Sequence, residues 1–499
     1  MNRKKTIIIA AIAAAVLVGV MLLLIFLPKG SGDSGSATLD EGTHMKTVTD
    51  KNGMHQAVVE TEPNGEIKNN SYGTLIDYVP ANIKNIRVEN KKGTLDVQST
   101  TPKGEATVYS IKGYEDFELQ SGIPDLVASA ASNLEFSKVA STDGGGKAEF
   151  GLDNPRSTVT VTYQDKTKAV FKVGSNAPQA AGTYVQFGTE PTVYLCSTDV
   201  VSAFDLGLTD FINRNINNSA DSAENNEASS ITISGSGFKN EIVLEPNKSQ
   251  KNSASFIMTS PVKGYASESE SSLISGSIRG LYSDSVEMVN PSNAQLEKLG
   301  LSSPYAKITA VYPDVTVKLS GTKPDSDGNV LIMADGGKVV YKISAEKAAW
   351  TNTSYEKLVN EYVLNPKMSS LSGVSIKADK TYAFELETKE VTKTDDEGEE
   401  TTSTSTTVKY NGKELDLGKF TNLYDDLTLI KLNEVKEHSF SGSPEVSITY
   451  TYDDSGNDVV EFYAENAEFY TAVLNGRAVG NCYKADVARI KNNIQSLTK

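Results

Sequence analysis

The chain has 499 residues, with 48 Lys and Arg against 64 Asp and Glu, 38% apolar residues and two cysteines. That length allows about three domains of ordinary size, and the apolar fraction is enough for folded cores. Two cysteines exclude a disulfide-dense scaffold, and the formal net charge of −16 excludes nucleic acid and anionic lipid headgroups as partners.

In chain order the first element is Ile7–Leu27, 21 consecutive residues without a charge, close behind Arg3, Lys4 and Lys5. A helix of that length is about 31 Å long, enough to cross a bilayer's hydrocarbon core. Basic residues stay on the cytoplasmic side and Pro28 ends the helix, so residues 1–28 read as a cytoplasmic flank and a signal anchor, with everything from Lys29 outside. A cleaved signal peptide competes, with small residues at Ser36-Ala37, but its apolar region should run only about 7 to 15 residues. Ala11, Ala15 and Gly19 lie four apart, which would put small residues on one face against another membrane helix, but Ala and Gly are common in such spans and the spacing is read as ordinary composition. Beyond the flank, 45 basic residues face 64 acids, a net of −19. Residues 29–82 read as a polar stalk.

From there the chain repeats itself. Phe150-Gly151-Leu152-Asp153-Asn154-Pro155 is followed by Val159-Thr160-Val161-Thr162-Tyr163, and Leu299-Gly300-Leu301-Ser302-Ser303-Pro304 by Ile308-Thr309-Ala310-Val311-Tyr312, at an offset of 149 without a gap. Thr192-Val193-Tyr194 and Val339-Val340-Tyr341 then match at an offset of 147. The physical pattern predicts a short helix capped by Asn290, with Pro291 in its first turn and Gly300 ending it in the left-handed conformation. Pro304 forbids continuation, and Val159, Val161, Tyr163 and Ile308, Ala310, Tyr312 read as strands with one buried face. Upstream, amphipathic helices are predicted from Ile123, Leu126, Val127, Ala130 and Leu134, and from Leu273, Ile274, Ile278 and Leu281.

A third, degenerate copy follows. Phe420, Leu423, Tyr424 and Leu427 supply its helix face, Val446 to Tyr450 its strand, and Lys484-Ala485-Asp486-Val487 echoes Ser197-Thr198-Asp199-Val200, while the Gly-Leu-x-x-Pro element is missing. Strand-like stretches precede each copy at 83–88, 231–244 and 374–386. The expected fold is α+β: one N-terminal transmembrane helix, then units at 83–216, 229–365 and 370–499, each a helix packed on a mostly antiparallel sheet.

The order of amphipathic helix, Phe-Gly-Leu-Asp-Asn-Pro, Val-Thr-Val-Thr-Tyr, Phe171-Lys172-Val173-Gly174, Gly182-Thr183-Tyr184-Val185 and Thr192-Val193-Tyr194-Leu195 resembles the bacterial domain-of-unknown-function 4340 family. The resemblance covers Tyr114 to Ile216 well, the second unit partly and the third weakly. Members are commonly encoded beside ABC-type transporters, including gliding-motility-like export systems, so the resemblance implies an auxiliary envelope role beside a permease.

The search for chemistry ends without a site. His44 and His55 fall in the stalk and His438 beside Glu437 in a charged loop. Cys196 and Cys482 read as buried free thiols without an activating base. Asp325-Ser326-Asp327-Gly328-Asn329 opens like a calcium loop, but Gly336 stands where the twelfth-position carboxylate belongs, so a hairpin turn is expected. Asp453 to Asp458 is a second such turn, Thr394 to Thr407 a solvated hairpin tip, and Gly144-Gly145-Gly146 a flexible lead without a Lys-Ser/Thr pair. Many of the 22 tyrosines fall at strand positions, where tyrosine has high propensity. The sequence therefore predicts no catalytic, cofactor-binding or metal-binding residue and no enzyme. It predicts a single-pass protein of the bacterial cytoplasmic membrane, held through residues 7–27 with its C-terminal part outside, partnered by an ABC-type permease or auxiliary subunit. The alternative is an envelope structural or ligand-binding module for glycan or protein, independent of a transporter.

Overall fold

In a computed structural model of the chain, the described residues are 45–49, 56–60 and 72–497, apart from 145, 250, 253, 262, 395–399, 436–438 and 455. They form three sheets in two compact units. The first unit takes residues up to Tyr109 with Val127–Asp205, and the second takes Ser110–Leu126 with Leu206 onward.

The first sheet contains β1 (Met45–Thr49), β2 (Gln56–Glu60), β3 (Gly73–Asp77), β4 (Ile83–Asn90), β5 (Gly93–Thr100), β6 (Val108–Ile111), β7 (Asn133–Ser141), β8 (Ser157–Tyr163), β9 (Lys168–Asn176), β10 (Thr183–Phe187) and β11 (Val193–Cys196), with helix α1 (Ile123–Ser132) before β7. Their order is β1-β2-β3-β7-β11-β10-β9-β8-β4-β5-β6. The second sheet contains β12 (Ser230–Ser234), β13 (Ile242–Pro246), β14 (Phe256–Ser260), β15 (Gly264–Tyr265), β16 (Ser285–Val289), β17 (Ala306–Val311), β18 (Thr316–Gly321), β19 (Asn329–Ala334) and β20 (Val339–Ser344), with α2 (Glu268–Ser275) and α3 (Asn293–Lys298) flanking β16. Its order is β15-β14-β13-β12-β17-β18-β19-β20-β16. The third contains β21 (Leu371–Lys377), β22 (Thr381–Thr394), β23 (Glu400–Tyr410), β24 (Lys413–Glu414), β25 (Val446–Tyr452), β26 (Asn457–Ala464), β27 (Phe469–Leu474) and β28 (Arg477–Tyr483) in the order β24-β23-β22-β21-β25-β26-β27-β28, with α4 (Leu417–Thr428) and α5 (Lys484–Leu497).

One plan underlies all three. A leading strand (β4, β12, β21) turns back through a hairpin, a helix follows, and an antiparallel four-strand meander returns so that its first strand (β8, β17, β25) pairs with the leading strand. Alternation decides which side is dry: Val159, Val161 and Tyr163 are buried, as are Ile308, Ala310 and Tyr312, and Val446, Ile448 and Tyr450. The helix faces are narrower than expected. Val127 and Ala131 in α1 and Ile274 in α2 are buried, while Ile278 and Leu281 lie beyond the end of α2 and Leu134 falls in β7; Leu126 and Leu273 are exposed, each about 100° round its helix from Val127 or Ile274. β7 and β16 pair with the last meander strands, β11 and β20; β16 is an edge strand, whereas β7 also pairs with β3. In the third sheet their place is taken by Asn433 and Glu434, which bond to the backbone of Asn481 at 2.8 and 3.1 Å.

The Gly-Leu element ends a helical turn in both places where the sequence has it. Gly300 N–H bonds to the Glu297 carbonyl and Leu301 N–H to that of Leu296; Gly151 and Leu152 do the same with Ala148 and Lys147. Both glycines are left-handed, at φ +68° and +76°. The start of α3 differs from expectation. Asn290 is itself left-handed at φ +52°, a conformation asparagine adopts more readily than most residues, and Ser292 caps the helix through a reciprocal pair of bonds with Gln295.

Each unit also satisfies a carbonyl near its helix end with a buried aromatic side chain. Tyr163 donates to the Ala131 carbonyl at 2.8 Å, Tyr450 to Leu427 at 3.3 Å, and the Trp350 indole to Ser277 at 3.2 Å.

The anchored architecture is corrected. No helix among the described residues is long and apolar enough to cross a membrane. α5, at 14 residues, is about 21 Å long, short of a hydrocarbon core of about 30 Å. The expected span Ile7–Leu27 lies outside the described residues. The fold stands as three α+β units, and attachment through residues 7–27, the cytoplasmic-membrane localisation and an ABC-type permease partner are withdrawn, because no described element carries them.

Candidate functional site

The hairpin that closes the first meander strand carries Tyr-x-Asp in every unit: Tyr163-Gln164-Asp165, Tyr312-Pro313-Asp314 and Tyr452-Asp453-Asp454. Backbone pairing sets this equivalence. Ile83 opposes Tyr163, Leu371 opposes Tyr452, and Ser229, just ahead of β12, bonds to the Val311 carbonyl beside Tyr312. Each tyrosine N–H then closes its own turn, onto Thr167, Val315 and Gly456 respectively.

Each corner seats one side chain from outside its meander. In the first, Tyr78 stacks on Tyr163 with ring centroids 3.9 Å apart and donates to Asp165 at 3.0 Å. In the third, Lys251 from the β13–β14 loop lies 4.7 Å from the Tyr452 ring centroid and 3.1 Å from Asp454. The second corner, like the first, is occupied from within its own unit. Arg279 lies 4.9 Å from the Tyr312 centroid and grips Asp314 with two parallel bonds of 2.8 and 3.0 Å.

Arg279 is held further by the Asn225 carbonyl at 2.7 Å and the Ser219 carbonyl at 3.4 Å, and its side chain is 8% exposed. Those bonds use the four terminal N–H groups, and Nε is left without a partner among the described residues. Above it opens a depression of about 560 Å³ lined by Ser219, Asp221, Ser222, Asn226, Ser275 and Arg279. The hydrogen bond to Asp314 raises the Arg279 guanidinium, the Arg279 bond holds the Asp314 carboxyl below the ordinary carboxylate range, and burial pushes the Tyr312 phenol up to about 12.

A pH dependence follows. Because the folded pKa of Asp314 is depressed, its pairing stabilises above the unfolded value of about 3.9 and is lost as pH falls through the folded value. The chain's melting temperature should therefore fall on acidification below about pH 4, and Asp314→Asn should lessen that slope. An identical slope in the variant, measured by calorimetry, would sink the assignment.

The residues singled out from sequence are scattered. His44, His55 and His438 lie outside the described residues. Asp325 spends its carboxylate on the backbone N–H groups of Asp327 and Asn329, with Gly328 at φ +78°, as a β18–β19 hairpin turn requires. Thr394 to Thr407 is strand for most of its length, with β22 and β23 paired from Phe384–Tyr410 out to Thr394–Glu400. Among the described residues, no three His, Cys, Asp or Glu side chains converge to hold a metal ion.

Cys196 and Cys482 are buried free thiols; burial raises both, Cys482 to about 12. Neither should react with iodoacetamide in the folded chain near pH 8, and both should react on unfolding. Stoichiometric labelling of the native chain, read by intact mass, would contradict their burial.

The architecture defines the chain as a tandem array of α+β modules. Residues 109–270 and 267–446 each match the family described as Domain of unknown function (DUF4340). The chain belongs to that family. No curated protein and no solved structure matches it.

Proposed function

We propose that the chain is a non-enzymatic structural or ligand-binding module whose repeated units offer surface to a glycan or protein, independently of a transporter. The observation that carries this reading is the recurrent Tyr-x-Asp corner. Three times the same geometry holds an incoming polar side chain, and twice it is filled by Tyr78 or Lys251 as an architectural joint. At the second corner the joint is made by Arg279, and an open polar depression lies beside it at the surface. Repeated units that invest their charged and aromatic groups in positioning act through surface rather than bond-making. The test is to incubate the full chain with glycan and peptide arrays and recover the bound compounds. Saturable binding with each ligand returned unchanged is expected; conversion of a bound compound, lost when the chain is unfolded, would overturn the reading.

A further inference from the structure

We infer that the depression over Arg279 is a binding site for a neutral, polyhydroxylated ligand, a saccharide unit. This rests on the binding-module reading above and gives it a location and a ligand chemistry.

The argument starts from charge. Arg279 is the cation of the site, but Asp314 already neutralises it through two bonds. Asp221 adds a further carboxylate to the lining, with Oδ1 accepting from Asn225 at 2.7 Å. An anion would meet a neutralised guanidinium and an unneutralised acid, so phosphates and carboxylates are disfavoured. What the lining offers is a close mixture of donors and acceptors: the hydroxyls of Ser219, Ser222 and Ser275, the amide of Asn226 and the carboxylate of Asp221. A ligand whose every position both donates and accepts, as a sugar hydroxyl does, satisfies that mixture.

A peptide fits less well. Peptides dock by adding a strand to a sheet edge or by placing side chains in apolar pockets. These lining residues lie in the loop between residues 219 and 226 and in the segment from the end of α2 to Arg279, so they present neither a strand edge nor an apolar pocket. The volume, about 560 Å³, is in the range of small-ligand sites. Comparison with the other corners adds specificity. Tyr78 and Lys251 fill the first and third corners, whereas the second is filled by Arg279, which also lines the depression.

The experiment is saturation-transfer difference NMR on the full chain with glucose, galactose and N-acetylglucosamine as probes, and with neutral tripeptides in parallel. At least one saccharide should give a signal. Asp221→Ala, at an exposed position, should weaken binding roughly tenfold by removing a charged acceptor. Ser275→Trp, which fills the depression, should abolish it, and Asp153→Ala in the first unit should leave it unchanged. Absence of any saccharide signal, or signals that survive Ser275→Trp, overturns the proposal. Tripeptide signals that Ser275→Trp removes, with none from saccharides, would overturn the saccharide while leaving the binding-module reading in place.

Discussion

Gly151→Val should destabilise the first unit by about 3 kcal/mol or more, at least twice the loss from Gly300→Val. Both glycines end a helical turn in the left-handed region, so any β-branched residue meets a conformational cost of about 1–2 kcal/mol at either place. Space separates them. A Cβ at Gly151 would run into the Ser175 side chain and stand 2.9 Å from its backbone N, which is itself bonded to the Phe150 carbonyl. A Cβ at Gly300 meets only the Thr322 methyl at 3.9 Å. The extra loss at Gly151 is therefore overpacking against backbone that cannot retreat without breaking a hydrogen bond. Urea unfolding of both variants against wild type measures the difference. Equal losses would mean that the two turns are not held as their contacts indicate.

Trp350→Ala carries a comparable effect in the second unit, about 4 kcal/mol. The indole is fully buried among Ile274, Ile278, Ala306 and their neighbours, so truncation leaves a large cavity, and it also strips the Ser277 carbonyl of its donor. Trp350→Phe should retain most of the packing and lose about 1–2 kcal/mol, chiefly from that bond. Hydrogen exchange resolved by peptide gives the location as well as the size. Protection should fall across β12, β17 and α2 and hold in β8 and β9, which belong to the other compact unit. Equal loss of protection in both would contradict that division.

Much of the fold was legible because its signals are local. Val159-Thr160-Val161-Thr162-Tyr163 alternates cleanly, and Gly300 followed by Leu301 states a helix end in two residues. Leu126 and Leu273 misled because a short helix offers too few apolar positions to fix the centre of its stripe. The candidate site was hidden for a different reason. Aligned by composition, Tyr450 falls opposite Tyr163, two residues from the structural equivalent, and only the pairing of Leu371 with Tyr452 sets the frame that lets Tyr-x-Asp recur three times. Arg279 has no local signal, since it reaches Asp314 across 35 residues and has no counterpart by type in the first or third corner. The transmembrane expectation rested on the apolar run Ile7–Leu27, its basic flank and Pro28, residues the structure does not describe, and nothing in the described fold takes it up.

The family boundaries run out of step with the sheets. The first match starts in β6 and stops inside α2, and the second starts at α2 and stops on the first residue of β25. Each family copy thus encodes the back of one sheet and the front of the next: β12 is written in the first copy, and β17, which pairs with it, in the second. Cutting the gene at residue 270 or 446 would leave leading strands without their meanders, with open backbone edges prone to pairing with other chains. A whole copy spliced in at α2 would instead leave every sheet complete, with β4–β5 and the last meander serving as complementary half-copies at the two ends. Such an array can lengthen or shorten by recombination within a helix and never expose a broken sheet.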